Sequence, residues 1–395
     1  MSRIKSITQK YIGDVIQWRH WLHAHPEVST KEKETSAFIR KTLEEMGLEV
    51  RTYDGSYGLT AVIDGEGQGK CLGLRADFDA LPIAEKTGLE FSSVNIGVMH
   101  ACGHDMHTSI LLGTAAVLND MRDSFCGKVK LIFQPSEEQS GPDQGAIKMI
   151  QEGCMDNPRV DAVIGEHMWP ELKVGEIGLR SGVLTAATDR FEITVHGKAA
   201  HGGSYPEKGV DAIVIASHII TALQTIKSRN ASPFERTVLS ICQINGGTAY
   251  NIIADKVVLA GTLRNTNEAF RAEVKERIKA ICDGISESMG GSCEIVYKGS
   301  YDATNNDPGI IEIIRKGIEN SPEEMTAVDL MNPSMIGEDF SKYAHLAPSG
   351  LYCFGTREND SDTATLHQCN FAPSDGLIEK GIETMVSIAL EYMQK

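Results

Sequence analysis

Phe191-Glu192-Ile193-Thr194-Val195-His196 alternates apolar and polar side chains without a break. Strict period-two alternation is the pattern of a strand with one face in a core and one in water. Upstream the texture differs. Residues 59–63, 71–76, 129–133 and 162–164 are short apolar runs, as expected of strands buried on both faces. Helical segments lie around them. In the first, Ile4, Ile7, Tyr11, Val15, Trp18 and Leu22 recur at helical spacing and Pro26 ends it. A second runs from about 31 to 46 and stops at Gly47, and a third follows His104, where 110–118 is an apolar segment. Strands alternating with helices predict a mostly parallel sheet covered on both faces. From Ser181-Gly182 onward the order becomes strand 191–196, helix 211–226, strands 238–244 and 256–264, helix 268–289, strand 293–298. That β-α-β-β-α-β order predicts a ferredoxin-like module with an antiparallel sheet. After Asn305 the α/β texture returns. The expectation is therefore a discontinuous α/β domain with a mostly parallel, mixed sheet, residues 1–183 and 301–395. A ferredoxin-like α+β domain, residues 184–300, is inserted into it.

Composition narrows the function. The chain has 395 residues, more than one typical domain, with 41% hydrophobic and 23% charged residues, the profile of a soluble globular protein. A formal net charge of -16 argues against nucleic acid or an anionic membrane as partner, because neither has a positive surface to meet. No apolar run is long enough to span a bilayer, and the start lacks a signal peptide's apolar core. The 9 cysteines are scattered singly with no CxxC, which fits a reducing cytoplasm better than a disulfide framework.

The chemistry gathers in His100-Ala101-Cys102-Gly103-His104-Asp105-Met106-His107, directly before the apolar helix. Imidazole nitrogen and thiolate sulfur are ligands that zinc and its neighbours prefer. The positive end of a helix dipole is expected to favour a thiolate there. Leu131-Ile132-Phe133-Gln134-Pro135-Ser136-Glu137-Glu138 delivers two adjacent carboxylates past the C-terminal end of a strand, the edge where parallel sheets build sites. One carboxylate can bind a metal while the other takes a proton from a bound water. Asp77 and Asp79 end another strand on one face, with Phe78 opposite. They can be ligands, orient a ligand histidine, or cap a turn. His167 is expected to end the strand that begins at Ala162, as a ligand or a structural residue. His367 is a weaker candidate, with Cys369 as a rival nearby. His107, three residues from His104, shares its helix face and can compete as a ligand or support from behind. His201 lies in a glycine-rich turn after a strand, where it is either a working residue or a satisfied loop histidine. Arg264 ends a strand, where a surface ion pair is the plain alternative to a substrate contact. His20, His23 and His25 read as structural.

Taken together, these motifs resemble the M20 metallopeptidase clan, in its amidohydrolase branch of aminoacylases, hippurate hydrolases and auxin-conjugate hydrolases. The resemblance rests on Leu22-His23-Ala24-His25-Pro26-Glu27, Arg75-Ala76-Asp77-Phe78-Asp79-Ala80-Leu81-Pro82, Cys102-Gly103-His104-Asp105 and Gln134-Pro135-Ser136-Glu137-Glu138. Gly197-Lys198-Ala199-Ala200-His201-Gly202, Gly337-Glu338-Asp339-Phe340 and Leu366-His367 continue it. The resemblance implies two divalent metal ions bridged by Cys102, with His104, Glu138, His167 and His367 completing the shell. It implies Glu137 as general base and later acid, and Asp79 behind His104. His201 would polarise the scissile carbonyl, reaching into a partner subunit's site. Asn251 and Arg264 would hold the substrate's carboxylate end; an arginine fork suits that task. The inserted domain would serve as lid and dimerisation surface, giving a homodimer or higher homo-oligomer. Two departures stand out. The stretch Gln139-Ser140-Gly141-Pro142-Asp143-Gln144 is long and polar, and no aspartate directly follows Phe371.

The expected activity is cleavage of an N-acyl (N-acetyl or N-benzoyl) amino acid to a free amino acid and a carboxylic acid. The mixed sulfur, nitrogen and oxygen shell suits zinc, manganese, cobalt or nickel. The alternatives are a dipeptidase or carboxypeptidase of the same clan, a metal-binding scaffold with a dead site, and a cysteine hydrolase with Cys102 as nucleophile.

Overall fold

The computed structural model describes residues 2–394. The chain forms two compact units. The larger comprises Met1–Leu184, Thr304–Asn332 and Asp339–Lys395; the smaller comprises Thr185–Ala303 and Pro333–Glu338.

The larger unit is built on an eight-stranded mixed sheet, in agreement with the sequence. Its strands lie in the order Val50–Thr52, Leu59–Asp64, Lys128–Gln134, Cys71–Asp77, Ala162–Lys173, Ser349–Arg357, Glu176–Leu179, Thr326–Asp329. The central strands, from Lys128–Gln134 through Ser349–Arg357, run parallel. Every residue of Cys71–Asp77 is buried, so the strand shows no alternation in its sequence. Leu72, Leu74 and Ala76 turn to one face and share a core with Ile110, Leu111 and Ile382. Arg75 turns to the other, where its guanidinium donates to Gln134, Asp77 and Asp339. The helix His104–Asp120 is buried from His104 to Leu118 and lies against the helices Arg3–Ala24 and Gly376–Met393. A helix buried on every side has no solvent face to mark, which is why its sequence shows little amphipathic pattern.

One strand corrects the sequence reading. The strand beginning at Ala162 does not end at His167; it continues to Lys173. Its pairing with Cys71–Asp77 stops at Gly165, while pairing with Ser349–Arg357 carries on past Trp169. Pro170, which cannot donate a ladder hydrogen bond, falls in the irregularity between Gly355 and Arg357. From Glu166 onward one edge is thus released, and the start of the buried helix takes that place.

In the smaller unit the strands lie in the order Ser292–Tyr301, Ala187–His196, Lys256–Asn265, Thr237–Gly246, all antiparallel. Two helices, Ala212–Thr225 and Glu268–Ser288, bury Ile215, Ile219, Val274 and Ile278 against Phe191, Ile193, Val257 and Leu259. Asp211 and Asn267 cap the helix starts. Arg271 meets buried Asp189 with two hydrogen bonds of 2.7 Å. Among the described residues no helix is long and apolar enough to cross a membrane.

Candidate metal centre and active site

The site forms where the C-terminal ends of Cys71–Asp77 and Lys128–Gln134 meet the released part of Ala162–Lys173 and the start of the buried helix. Gly103 precedes that helix at φ 86°, and a Cβ there would lie 2.8 Å from Met168 Cγ. Only glycine allows both the left-handed turn and the close approach, which seat Cys102 and His104 beside His167.

His104 and His167 each have one ring nitrogen committed and one turned inward. His104 Nδ1 lies 2.9 Å from the Asp79 carbonyl and 3.2 Å from Asp79 Oδ1, so it carries the proton. Its Nε2 is buried without a hydrogen bond. His167 Nδ1 donates to the Met168 carbonyl at 2.8 Å, leaving Nε2 3.6 Å from Cys102 Sγ. His367, at φ 64°, is tied to the cysteine loop by its backbone N–H, which donates to the Ala101 carbonyl at 2.8 Å. Its Nε2 lies 3.1 Å from Glu138 Oε1. That approach lacks hydrogen-bond alignment, and the buried Oε1 has no hydrogen-bond partner. Glu138 is fixed from behind by its N–H, which donates to Asp79 Oδ2 at 3.0 Å. Glu137 is buried, and the Asp339 N–H lies 3.4 Å from its Oε1.

The donor atoms fall into overlapping trios, each within 4.8 Å: Cys102 with His104 and His167, and Cys102 with Glu138 and His367. These two share Cys102 alone. A third joins His104 to Glu137 and Glu138. Two buried ligand atoms without hydrogen-bond partners, on His104 and Glu138, with a thiol between both sets, suit divalent cations.

The electrostatics agree. Burial lowers the His104 pKa, but Asp77, Asp79 and Glu138 outweigh it and raise it to about 10. Burial, Glu138, Glu137 and Asp77 push the Cys102 thiol well above its usual value. The expected thiolate-favouring effect of the helix start is therefore overridden. Burial and three nearby carboxylates outweigh a partial charge at a helix end.

His107 is not drawn into these trios with Cys102. Its Nδ1 meets Asp77 Oδ1 at 2.6 Å and its Nε2 accepts the Met168 N–H at 2.8 Å. Burial pushes it down to about 4, so it is neutral. It ties the buried helix to the strand that carries His167. Burial alone would raise Asp77, yet Arg75, His104 and His107 hold it well below the usual range. His23 Nδ1 lies 2.9 Å from Asp105 Oδ2, fastening the first helix to the start of the buried one.

The remaining candidates lie in the smaller unit. His201 is exposed and its Nδ1 accepts the N–H groups of Gly203 (3.2 Å) and Ser204 (3.1 Å). The proton therefore sits on Nε2, which is free to donate. Asn251 lies alongside: its carbonyl accepts the Gly202 N–H at 2.9 Å. Arg264 is half-buried in Lys256–Asn265 and donates to the Met335 carbonyl. Among the described residues no carboxylate meets Arg264, so the surface ion pair that was the plain alternative is not seen there. No hydrogen bond joins it to the His201–Asn251 pair. Sequence reasoning missed Glu32, which grips the loop before Glu137; within Lys31-Glu32-Lys33-Glu34 it reads as one more solvated charge.

Fold and site define a class before any individual protein. The chain belongs to peptidase family M20/M25/M40, whose model matches residues 73–391. It is 42% identical over 344 residues to N-acetyl-L-cysteine deacetylase of Bacillus subtilis (strain 168), covering 87% of this chain and 80% of that one. It is 42% identical over 298 residues to N-acyl-L-amino acid amidohydrolase of Geobacillus stearothermophilus, covering 75% and 79%. A solved Bacillus subtilis structure described as a dinuclear metal binding peptidase of the M20 family matches at TM-score 0.84 and 32% identity, covering 98% and 99%.

Proposed function

We infer that this protein is a metal-dependent amidohydrolase that cleaves N-acyl amino acids to a free amino acid and a carboxylic acid. The observation that carries the reading is the pair of donor trios sharing Cys102, with Glu137 beside them. The names of the two relatives support the substrate class. Cys102, His104, Glu138, His167 and His367 would hold two divalent ions, Cys102 being the member that both donor trios have in common. Bound divalent ions supply Lewis acidity and a more acidic water. Zinc, manganese, cobalt and nickel all suit the mixed donor set.

The chain's own groups do the rest. Glu137 takes a proton from water and returns it to the leaving amine. Asp79 holds the His104 tautomer that leaves Nε2 open. His201 is assigned to donate from Nε2, in a partner subunit's site, to the oxygen that gains charge, and its Nδ1 contacts support that tautomer. Arg264, with no acid of its own, and Asn251 are assigned to the substrate carboxylate. We assign the smaller unit, close to residues 184–300, to lid and dimerisation roles. Thr237–Gly246 is an edge strand, paired on one side with Lys256–Asn265 and with Val238 and Ile244 exposed, which supports a homodimer. The cysteines, all unpaired, support a reducing cytoplasm.

The test is reconstitution. Chelator-stripped protein is reloaded with each metal and assayed on N-acetyl and N-benzoyl amino acids beside dipeptides. Chelator-sensitive release of free amino acid from the acylated substrates is expected. Cleavage of dipeptides alone would make the protein a peptidase. Chelator-resistant turnover lost on thiol alkylation would make Cys102 a nucleophile.

A further inference from the structure

The loop that carries Glu137 and Glu138 is gripped from two sides by buried carboxyl groups. Ser136 sits at φ 54°, a left-handed conformation that serine adopts only when its surroundings impose it. Glu32 supplies the constraint. It is completely buried, and its Oε1 accepts the Ser136 N–H at 2.7 Å and the Ser136 hydroxyl at 2.8 Å. The hydroxyl oxygen in turn accepts the Thr30 N–H at 2.8 Å. On the far side, Asp79 Oδ2 accepts the Glu138 N–H at 3.0 Å and the Ser29 hydroxyl at 2.6 Å. The backbone N–H groups of residues 136 and 138 are thus both fixed, and Glu137 lies between them. Segment 29–32 contributes to both grips. Among the described residues, no hydrogen bond or ion pair joins Glu32 to Cys102, His104, Glu138, His167 or His367.

We propose that Glu32 is a positioning residue for the reaction: by holding Ser136 left-handed it sets the direction in which Glu137 leaves the loop. The inference rests on the reading of Glu137 as the proton-transferring group. An apolar side chain would fill the same space without a buried carboxyl, but it could not accept the two Ser136 donors. Burial and Asp79 push Glu32 up to about 7, so a neutral amide is a close mimic of its protonated form. A glutamine carbonyl oxygen can still accept from Ser136.

The experiment compares Glu32→Ala with Glu32→Gln in metal-loaded protein. Glu32→Ala should lower kcat about 30-fold or more, since a misdirected catalytic group loses rate steeply, with KM within about twofold. Metal content and the visible spectrum of the cobalt-loaded form should be unchanged. Glu32→Gln should restore kcat to within about threefold of the unsubstituted protein. Hydrogen exchange in a peptide spanning residues 134–139 should quicken in Glu32→Ala and return in Glu32→Gln. If the unsubstituted protein cleaves no N-acyl amino acid, the functional reading fails, and exchange still judges the grip. Where Glu32→Ala does not fold, Ser136→Ala replaces it, with a smaller fall in kcat and the same change in exchange. The proposal is overturned by unchanged kcat, by unchanged exchange, or by a kcat that falls in step with lost metal.

Discussion

Replacing Glu137 by glutamine separates proton transfer from metal binding. The side chain is buried and the substitution preserves its volume, so packing should survive. Neither trio that shares Cys102 includes Glu137, so metal stoichiometry should stay at that of the unsubstituted protein. General acid–base help from one group is typically about 10²–10⁴-fold. Glu137 is assigned two transfers, from water and to the amine, which places its loss near the upper end. A fall of about 10⁴ in kcat corresponds to roughly 5.4 kcal/mol of barrier, at about 1.36 kcal/mol per tenfold. KM should move little, because the group acts on water rather than on the bound carboxylate. The assay is steady-state release of free amino acid, with metal counted by elemental analysis on the same samples. The opposing possibility is concrete: Glu137 also lies within 4.8 Å of ligand atoms on His104 and Glu138. If Glu137→Gln loses metal in proportion to rate, the residue is a ligand. If kcat falls less than tenfold, the base lies elsewhere.

Cys102→Ser should lower metal content below that of the unsubstituted protein, because both trios lose their common member; an unchanged metal count would remove Cys102 from the shell. His107→Leu strands Asp77 Oδ1 and the Met168 N–H, at about 1–3 kcal/mol each. Thermal unfolding of the metal-free protein should then drop by at least about 4 °C, and an unshifted midpoint would show that the link carries no stability. Glu383 is buried with neither carboxyl oxygen hydrogen-bonded. Burial, with Glu323 and Glu379, raises it to about 7 against the pull of Lys5. A raised folded pKa gives stability that is full below the unfolded value of about 4.5 and lost as pH climbs through 7. Glu383→Gln should therefore flatten the fall in stability between about pH 5 and 7.5, worth about 3 kcal/mol at most. Denaturant titrations at the two pH values, equally steep in both proteins, would rule this out.

What could be read from the sequence follows burial. The strands of the smaller unit each show one face to water, so alternation marks Phe191–His196 clearly within the observed Ala187–His196. Ser349–Arg357 is a central strand of the larger sheet, buried from Ser349 to Thr356, and it leaves no such mark. The same absence made the strand from Ala162 look short: its continuation beyond His167 carries Pro170, Glu171 and Lys173, residues that local propensity sets against a strand. Tertiary pairing with Ser349–Arg357 overrides that preference. At the site, residues in dense motifs were legible because few other needs group imidazole, thiol and carboxylate so closely. His367, outside any dense motif, was legible only as a weaker candidate, since its backbone N–H reaches the Ala101 carbonyl from far away in sequence. Glu32 was hidden for the opposite reason, being one charge in a charged run and distinguished only by being buried.

The two unusual shifts at the site share a cause, and that cause makes a measurable demand. Asp77, Asp79, Glu137 and Glu138 create a negative field in a buried space, so His104 is raised to about 10 and the Cys102 thiol well above its usual value. Without a cation, a proton is the alternative occupant of each ligand atom. Divalent ions bound there must displace both, because a ligand needs a free lone pair or a thiolate. Near pH 8 the uptake of metal should therefore release about two protons per chain, and affinity should rise with pH across this range. Calorimetric titration of metal into stripped protein, in buffers of different ionisation enthalpy, counts those protons directly. Heats that do not depend on the buffer would mean that His104 and Cys102 are already deprotonated. The field would then be screened by something other than the proton, and the assignment of these two residues to the metal shell would lose its electrostatic support.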